Sequence, residues 1–350
     1  MMKVLQEVVG EHNGQTVDSF HLKNDNGMEV TCLSIGCVIT KILTEDAKGQ
    51  FENVVLGFDT VEEYSSNPPF FGAVCGRVAG RIKNAEFELE GDVYKLAKND
   101  GNNHLHGGLK PFSHVVWEGK VIESENEVGV EFTYVSPDGE EGYPGTVTMK
   151  VIYTLTNENE FTIEYKGQTD KSTLLNVTNH SYFNLSGNAK RDVLNHELTI
   201  KSNQFLELND ELLPTGTLLD VDNTAFDFRE GRKISDGVNS DHPQNILAGH
   251  GYDHPLLLNA NHDQEIKLVD EESGRMLVVE TDQPSVVLYT SNMLGDSVVI
   301  NGEKSKNHLG VCLETQGPPD SIHHPEFASA VLEKGEEYYS KTNFTFSVLK

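Results

Sequence analysis

The sequence predicts an all-β protein in which residues 1–350 form a single domain, a large antiparallel β-sandwich. Three observations predict this class. Apolar and polar residues alternate with the period of a half-buried strand, turn signals recur at short intervals, and long amphipathic helical windows are scarce. No short repeat, low-complexity tract or flexible linker divides the chain. A chain of 350 residues could form two or three domains, but all-β sandwiches often exceed about 200 residues as one unit.

The clearest strands lie in the middle of the chain, at Val128–Val135, Thr146–Tyr153 and Phe161–Tyr165. These segments alternate and favour β-branched and aromatic residues, as strands with one buried face do. By contrast, Val61–Tyr64 predicts no more than a single helical turn. Turn signals punctuate the chain at Asp25-Asn26-Gly27, Glu90-Gly91-Asp92, Pro137-Asp138-Gly139, Ser273-Gly274 and Asn301-Gly302.

The charge of the chain excludes some classes of partner. Its formal net charge is −28, from 55 acidic and 27 basic residues, which disfavours nucleic-acid phosphates and anionic membrane surfaces. The acidic residues are spread along the chain, so they predict a solvated surface, and an uncharged ligand fits better than an anionic one. Residues Met1–Val9 lack the apolar core of a secretory signal, and no later segment could span a bilayer. We therefore expect a cytoplasmic protein with no membrane and no nucleic-acid partner.

His180 is the first candidate functional residue. It lies in the polar segment Thr178–Gly187, between side chains that can form hydrogen bonds. Amides and hydroxyls on both sides can fix the tautomer and orientation of an imidazole, as a general acid requires.

A second histidine motif is Asn102–Gly108, in which His104 and His106 share one face if the segment is extended. That spacing can chelate a metal. A cupin-type site would need a carboxylate shortly afterwards, where Lys110 and Pro111 stand, so we expect no metal. The glycines after His106 favour an exposed, hydrogen-bonding imidazole, whereas His104 suits packing under a loop. The four cysteines show no CxxC spacing and are expected to be reduced and mostly buried.

Two carboxylates stand out. Asp253 lies in the turn-like segment Gly249–Pro255, which the apolar run Leu256–Leu258 would anchor, although loop carboxylates are commonly just solvated. Glu314 lies at the end of an apolar strand. Burial there requires a partner, such as a buried arginine, or raises the pKa of the carboxyl towards a value useful for a base.

Two arginines, Arg77 and Arg81, lie in the small and apolar segment Phe70–Ile82. A buried guanidinium must be paired, and its planar fork fits carboxylates or vicinal sugar hydroxyls. An internal salt bridge is the alternative.

Together these segments resemble the aldose 1-epimerase family, the galactose mutarotases, and the resemblance covers nearly the whole chain. The motifs follow in family order, and the connecting stretch also fits, at Leu213–Gly216 and Thr224–Arg229. The resemblance implies a β-supersandwich fold, a monosaccharide substrate such as galactose or glucose, no cofactor, and a monomer or homodimer.

By the same resemblance, Glu314 is the general base, His180 is the general acid, and Arg81, His106 and Asp253 hold the sugar hydroxyls, with no metal. Mutarotation removes the anomeric proton, protonates the ring oxygen, and reverses both steps after rotation. We expect Glu314 to be ionised and His180 to be charged in the active form, as two opposed proton carriers.

The chain departs from the family pattern at two places. Gly80 replaces the asparagine that often precedes Arg81, and Gly317-Pro318 replaces an asparagine and an aromatic residue. A hydrogen bond is therefore expected to be absent and the rim of the site to be reshaped. His323 and His324 lie near that rim and are either ligand contacts or surface residues.

Three alternatives stay open at this point. A sugar-binding protein on the same scaffold would need no acid and base. A glycoside hydrolase or lyase would use Glu314 and Asp253 as a carboxylate pair. A hexose-6-phosphate 1-epimerase would use an arginine such as Arg77 to meet the phosphate.

Overall fold

Strands form wherever the sequence alternates. The computed structural model describes residues 2–349, within which there are 30 β-strands and two α-helices of one turn each. The first fifteen strands are β1 (Lys3–His12), β2 (Gln15–Lys23), β3 (Glu29–Leu33), β4 (Ile39–Glu45), β5 (Phe51–Asn53), β6 (Val74–Cys75), β7 (Arg81–Ile82), β8 (Glu86–Leu89), β9 (Asp92–Lys95), β10 (His104–Leu105), β11 (Glu118–Glu123), β12 (Glu127–Ser136), β13 (Val147–Thr156), β14 (Glu160–Thr169) and β15 (Thr173–Leu174).

The second half of the chain contains the two short helices, α1 (Ser235–Val238) and α2 (Pro243–Leu247). Its strands are β16 (Thr178–Asn179), β17 (Tyr182–Phe183), β18 (Glu197–Ile200), β19 (Ser202–Leu208), β20 (Pro214–Asp220), β21 (Arg232–Lys233), β22 (Asp253–Leu258), β23 (Ile266–Asp270), β24 (Arg275–Thr281), β25 (Ser285–Tyr289), β26 (Val299–Ile300), β27 (Glu303–Lys304), β28 (Val311–Gln316), β29 (Val331–Leu332) and β30 (Glu337–Val348). Short 3-10 helices cover Glu62–Ser65, Lys83–Ala85, Phe112–His114, Glu140–Gly142 and Ser321–His323.

Three sheets build two layers. One layer is a nine-stranded antiparallel sheet in the order β11-β12-β13-β14-β30-β24-β23-β18-β21. The other consists of a five-stranded sheet, β1 to β5, and a six-stranded sheet in the order β17-β28-β25-β22-β19-β20. An antiparallel bridge between Val55 and Phe183 connects these two.

The core lies between the layers. One cluster of buried side chains extends from Phe20 to Phe346 and draws on all three sheets. Phe20 of β2 meets Phe132 of β12 edge to face, with ring centroids 5.4 Å apart. Phe183 of β17 packs on Phe344 of β30 at 5.7 Å. Burial of aromatic area and favourable ring geometry stabilise this contact between sheets, and the predicted antiparallel β-sandwich is confirmed.

The predicted local elements are also confirmed. The three central strands are β12, β13 and β14, adjacent in the nine-stranded sheet, and the helical turn is the 3-10 helix Glu62–Ser65. All five turn signals lie between strands or directly after one. The four cysteines are free and buried. Among residues 2–349, no helix is long and apolar enough to cross a membrane.

The six-stranded sheet positions the site because its strands alternate between two environments. In β22, β25 and β28, Leu256, Leu288 and Leu313 belong to the core. The intervening residues point the other way, since successive side chains of a strand lie on opposite faces. The register places Val287 of β25 opposite Glu314 of β28, and the outer face of these three strands forms the wall of a cavity.

Candidate active site

A cavity of about 540 Å³ opens over the outer face of β22, β25 and β28. This volume is in the range of small-molecule sites. The structure brings all five sequence-predicted residues to its wall, together with Gln316. They are Arg81, His106, His180, Asp253 and Glu314.

Arg81 is held by a short strand pair and by an acid. It lies on β7, opposite Leu105 of β10. Its Nε donates a hydrogen bond of 2.7 Å to Oδ2 of Asp100. In the part of the chain that the structure describes, no hydrogen bond engages its two terminal nitrogens. Those nitrogens can therefore donate to vicinal hydroxyls of a bound sugar.

The backbone of Gly80 fixes the tautomer of His106. The His106 N–H donates to the carbonyl of Gly80 (3.0 Å), and its Nδ1 accepts from the N–H of Gly80 (3.2 Å). Burial, reinforced by the nearby His180 and Arg81, lowers the pKa of His106 well below its usual value. A neutral imidazole whose Nδ1 accepts must carry its proton on Nε2, so His106 is a donor.

His104 has the packed position that its sequence context predicts. Its Nδ1 donates to the carbonyl of Ala97 at 2.8 Å, and its Nε2 lies 2.8 Å from the hydroxyl of Tyr143. Both ring nitrogens are thus occupied, and the pair formed by His104 and His106 is not a chelating one.

His180 and Glu314 lie side by side. The distance between His180 Nε2 and Glu314 Oε1 is 3.5 Å, and both side chains are buried. On its other edge, His180 Nδ1 lies 3.6 Å from Sγ of Cys312, which is two residues before Glu314 on the same face of β28. The ring of Phe70 lies 6.0 Å from that of His180 and 4.9 Å from that of His106.

One prediction about His180 is wrong. Its polar sequence neighbours do not orient the imidazole, because Ser181 donates to Oδ1 of Asn179, and Nδ2 of Asn179 donates to the carbonyl of Gly72. These bonds shape the turn between β16 and β17. The polar contacts of the ring come instead from Cys312 and Glu314 of β28, and the ring of Tyr182 packs against it at 5.0 Å.

Burial acts against the expected charges of the pair. It lowers the pKa of His180 to about 4. Burial also raises the pKa of Glu314 well above its usual value, with a further increase from Asp253 and an opposing effect of Arg81. Each group is therefore biased towards its neutral form, and between the two shifted pKa values the pair holds a single acidic proton.

Asp253 begins β22 and is anchored as the sequence predicts. Burial raises its pKa, and the charge of Arg81 opposes that shift. In the antiparallel register Asp253 lies opposite Tyr289, another residue of the cavity wall.

The donor atoms of His180, Cys312 and Glu314 lie within 4.8 Å of one another. A nitrogen, a thiol and a carboxylate at such distances could hold a soft divalent cation. Two of the three are the candidate acid and base, so an ion bound there would block the proton transfers.

Arg77 is structural. Its guanidinium donates to the side chain and carbonyl of Ser136 and to the carbonyls of Pro137 and Pro144, at 2.9–3.1 Å. It is buried and does not line the cavity. The guanidinium is thus paired inside the protein, but by carbonyls and hydroxyls, and among the described residues it forms no salt bridge of the kind the sequence suggested.

The two departures from the family pattern, Gly80 and Gly317-Pro318, make different contacts in the structure. A Cβ at Gly80, where φ is +77°, would lie 2.9 Å from Cβ of Pro319. Gly317 is clamped by Asn176, which accepts from its N–H at 2.9 Å and donates to its carbonyl at 3.0 Å. The rim is thus built from small residues and proline.

His323 and His324 do not reach the cavity wall. His323 Nδ1 lies 2.6 Å from Oδ1 of Asp320, whose own N–H donates to the carbonyl of Arg81. His324 lies beside Asp320 and Glu326. Both histidines therefore contact Asp320, which is hydrogen-bonded to the backbone of Arg81, and support the rim from outside the cavity.

Sequence reasoning missed several residues of the cavity wall. Gln316 was within reach of a pattern argument because it lies two residues after Glu314 in the same strand, so both share a face. Residues such as Val287, Tyr289 and Phe70 carry no comparable sequence signal, since aromatic and aliphatic residues in strands are mostly core.

Comparisons with known proteins identify the family of the chain. The sequence profile of the family described as aldose 1-epimerase matches residues 18–345. The galactose mutarotase of Bos taurus is 41% identical over 353 aligned positions, covering 99% of this chain and 100% of the relative. For the galactose mutarotase of Homo sapiens the identity is 40% with the same coverage. An aldose 1-epimerase of Haemophilus influenzae is 37% identical, covering 93% of this chain and 94% of the relative.

Solved structures show the same relationship. The crystal structure of a galactose 1-epimerase from Lactobacillus acidophilus NCFM superposes with a TM-score of 0.90 at 29% identity, covering 100% of both chains. An aldose epimerase homologue from C. elegans gives 0.86 at 27% identity, again over 100% of both.

Proposed function

The chain belongs to the aldose 1-epimerase family and is an epimerase of that family, and on this premise we propose that it interconverts the α and β anomers of free hexoses, galactose and glucose among them. The observation that carries the proposal is the distance of 3.5 Å between His180 Nε2 and Glu314 Oε1 at the wall of a sugar-sized cavity.

The side-by-side arrangement suits the chemistry. The anomeric hydroxyl and the ring oxygen are bonded to the same carbon, so the two proton carriers must be neighbours, not opposed as expected from the sequence. Glu314 takes the proton of the anomeric hydroxyl while His180 gives one to the ring oxygen, and the ring bond to the anomeric carbon breaks to leave the open aldehyde. After rotation, His180 takes its proton back and Glu314 returns one to the new anomeric oxygen.

The proposed reaction requires that His180 and Glu314 together carry one acidic proton. Burial favours neutral His180 and protonated Glu314, whereas the step above needs the same proton on the imidazole. Both arrangements have the same total number of protons, so a shift between the two groups, promoted by the bound sugar, prepares the site. Proton transfers of this kind need no cofactor.

Arg81, His106 and Asp253 orient the sugar in the proposal. Arg81 and His106 are donors, and Asp253 is an acceptor when ionised. The ring of Phe70, close to both imidazoles, offers an apolar surface for the face of the pyranose.

The phosphosugar alternative is less well supported. Arg81 is the one lysine or arginine among the described residues that line the cavity, so a phosphate there would have a single cationic side chain of that kind as its partner. Arg77 is committed to carbonyls elsewhere. The hydrolase alternative needs two carboxylates across a scissile bond, but the group beside Glu314 is His180.

Polarimetry tests the proposal. Freshly dissolved α-D-galactose and α-D-glucose are followed with and without protein that has been dialysed against a chelator, with Glu314→Gln as the matched control. We expect a faster approach to an unchanged final rotation. No acceleration, combined with stabilisation of the protein by sugar, would favour the non-catalytic binding alternative, and acceleration only with phosphorylated hexoses would favour the phosphosugar alternative.

Three further expectations remain predictions: the single domain, the cytoplasmic location and the oligomeric state. A single domain is supported by the core cluster that extends from Phe20 to Phe346. The cytoplasmic location and the monomeric or homodimeric state are to be measured by fractionation and light scattering.

A further inference from the structure

We infer that Gln316 accepts a hydrogen bond from a sugar hydroxyl other than the anomeric one, and that it selects substrates carrying that hydroxyl. The inference rests on the proposed function and names a specificity residue for the same cavity. Gln316 lines the cavity, is fully buried, and its Oε1 has no hydrogen-bond partner among the described residues.

The orientation of the Gln316 amide is fixed by its surroundings. Its Nε2 donates to the carbonyl of Gly317 at 3.2 Å. Gly317 is itself held on both sides by the amide of Asn176. Turning the Gln316 amide over would place Oε1 against a carbonyl oxygen, so the nitrogen stays on Gly317 and the oxygen is the free atom.

The position of Gln316 excludes the anomeric hydroxyl as its partner. Gln316 follows Glu314 by two residues of β28, a separation of roughly 6.8 Å along an antiparallel strand. Glu314 meets the anomeric oxygen in the proposed reaction, so Gln316 reaches a hydroxyl about one ring width away.

The neighbouring strands offer few competing polar groups. Ser285 of β25 lies opposite Gln316, but its hydroxyl donates to the backbone carbonyl of Gln316 at 2.7 Å, and Ser285 does not line the cavity. The next residue of β25 on the cavity wall is the apolar Val287, opposite Glu314. Recognition of hydroxyls on this part of the wall therefore falls to Gln316.

An unpaired, buried carbonyl acts as a filter. A sugar hydroxyl that donates to Oε1 of Gln316 gives this buried acceptor its hydrogen bond. An analogue that lacks the hydroxyl leaves Oε1 buried without a hydrogen-bond partner. Sites built to bind a hydroxyl reject the analogue without it far more strongly than apolar pockets reject a missing methylene.

The test pairs substrate changes with a side-chain change. Wild-type protein and Gln316→Met, which keeps the length of the side chain and removes its acceptor, are assayed by polarimetry with galactose. The same assays use its monodeoxy analogues, each lacking one hydroxyl other than the anomeric one. For wild type we expect one analogue to lose roughly tenfold or more in kcat/KM. In Gln316→Met that analogue and galactose should differ by less than about twofold, because the partner of the missing hydroxyl is gone.

Two controls separate the possible failures. Gln168→Met makes the same substitution at an exposed position of β14 and should leave the whole substrate profile unchanged. Gln316→Asn withdraws the carbonyl by one methylene and should reproduce the loss of selectivity if Gln316→Met fails to fold.

The inference is overturned if the folded Gln316 variants keep the wild-type preference among the analogues or lower kcat/KM equally for all sugars. Wild-type activity on galactose is measured in the same series, so failure of the proposed function would be seen separately.

Discussion

His180 Nε2 lies 3.5 Å from Oε1 of Glu314, and the two side chains are only 7% and 4% exposed. Two ionisable groups that are this close and this buried have coupled titrations, so the apparent pKa values belong to the pair. Its burial shifts the two pKa values in opposite directions, down for the imidazole and up for the carboxyl. The singly protonated pair is therefore favoured at pH values between the two shifted pKa values.

The first prediction is a plateau in the pH dependence of kcat/KM. Below the His180 pKa of about 4 the pair binds a second proton and loses its base. Above the raised pKa of Glu314 it loses its proton and has no acid. Activity should therefore fall at low pH near 4 and again at a pH well above the usual carboxyl range.

The measurement is the initial rate of mutarotation at subsaturating sugar, with the buffer-catalysed rate subtracted at each pH. Enzyme that keeps a constant kcat/KM from about pH 4 to about pH 10 would contradict an essential acid and base.

The second prediction concerns the two proton carriers themselves. Glu314→Gln and His180→Asn should each lower kcat by roughly a hundredfold or more, since positioned acid and base groups contribute factors of that size. Both replacements are polar and similar in volume, so thermal unfolding should change little. Near-native kcat in both variants would refute the assignment, and sugar binding by calorimetry shows whether the loss is in catalysis.

The sequence carried enough information to predict these residues because each lies in a short motif that the family resemblance matches. Strand alternation likewise predicted the sandwich, since β12 to β14 read directly as half-buried strands. What the sequence could not provide is contact across the sheet. The proximity of Cys312 to His180 and the orphan carbonyl of Gln316 depend on the register and rotamers of β28.

Arg77 illustrates the same limit. The sequence around Arg77 is compatible both with a ligand-binding arginine and with an internally paired one. Only the fold shows that its guanidinium donates to three backbone carbonyls. A buried cation is recognised in sequence by its apolar neighbours, but its partner is a property of the tertiary structure.

The third prediction follows from that position. Arg77→Met should lower the free energy of unfolding by about 3 kcal/mol or more, because it leaves several buried acceptors unpaired. The kcat of the protein that remains folded should be close to wild type, since Arg77 does not line the cavity. Urea denaturation measures the first quantity and polarimetry at low temperature the second.

A matched variant, Arg229→Met, removes an arginine whose partners Asp222 and Asp227 lie nearer the surface, and should destabilise far less. If Arg77→Met lost activity on phosphorylated hexoses while its stability was retained, the structural role would be wrong.

The last prediction tests the rim at Gly80, which holds His106 through its N–H and its carbonyl. Gly80→Ala should raise KM severalfold or more, because its new Cβ would lie 2.9 Å from Pro319 and must displace either that proline or His106. Gly91→Ala is the matched control, since Gly91 also has a positive φ, of +87°, but has nothing within 4 Å of its added Cβ. Both variants carry the left-handed backbone penalty of about 1–2 kcal/mol, so only the steric effect at the rim distinguishes them. Steady-state polarimetry and thermal unfolding of the two variants would separate the effects, and an unchanged KM in Gly80→Ala would show that the contact with Pro319 does not position His106 for the sugar.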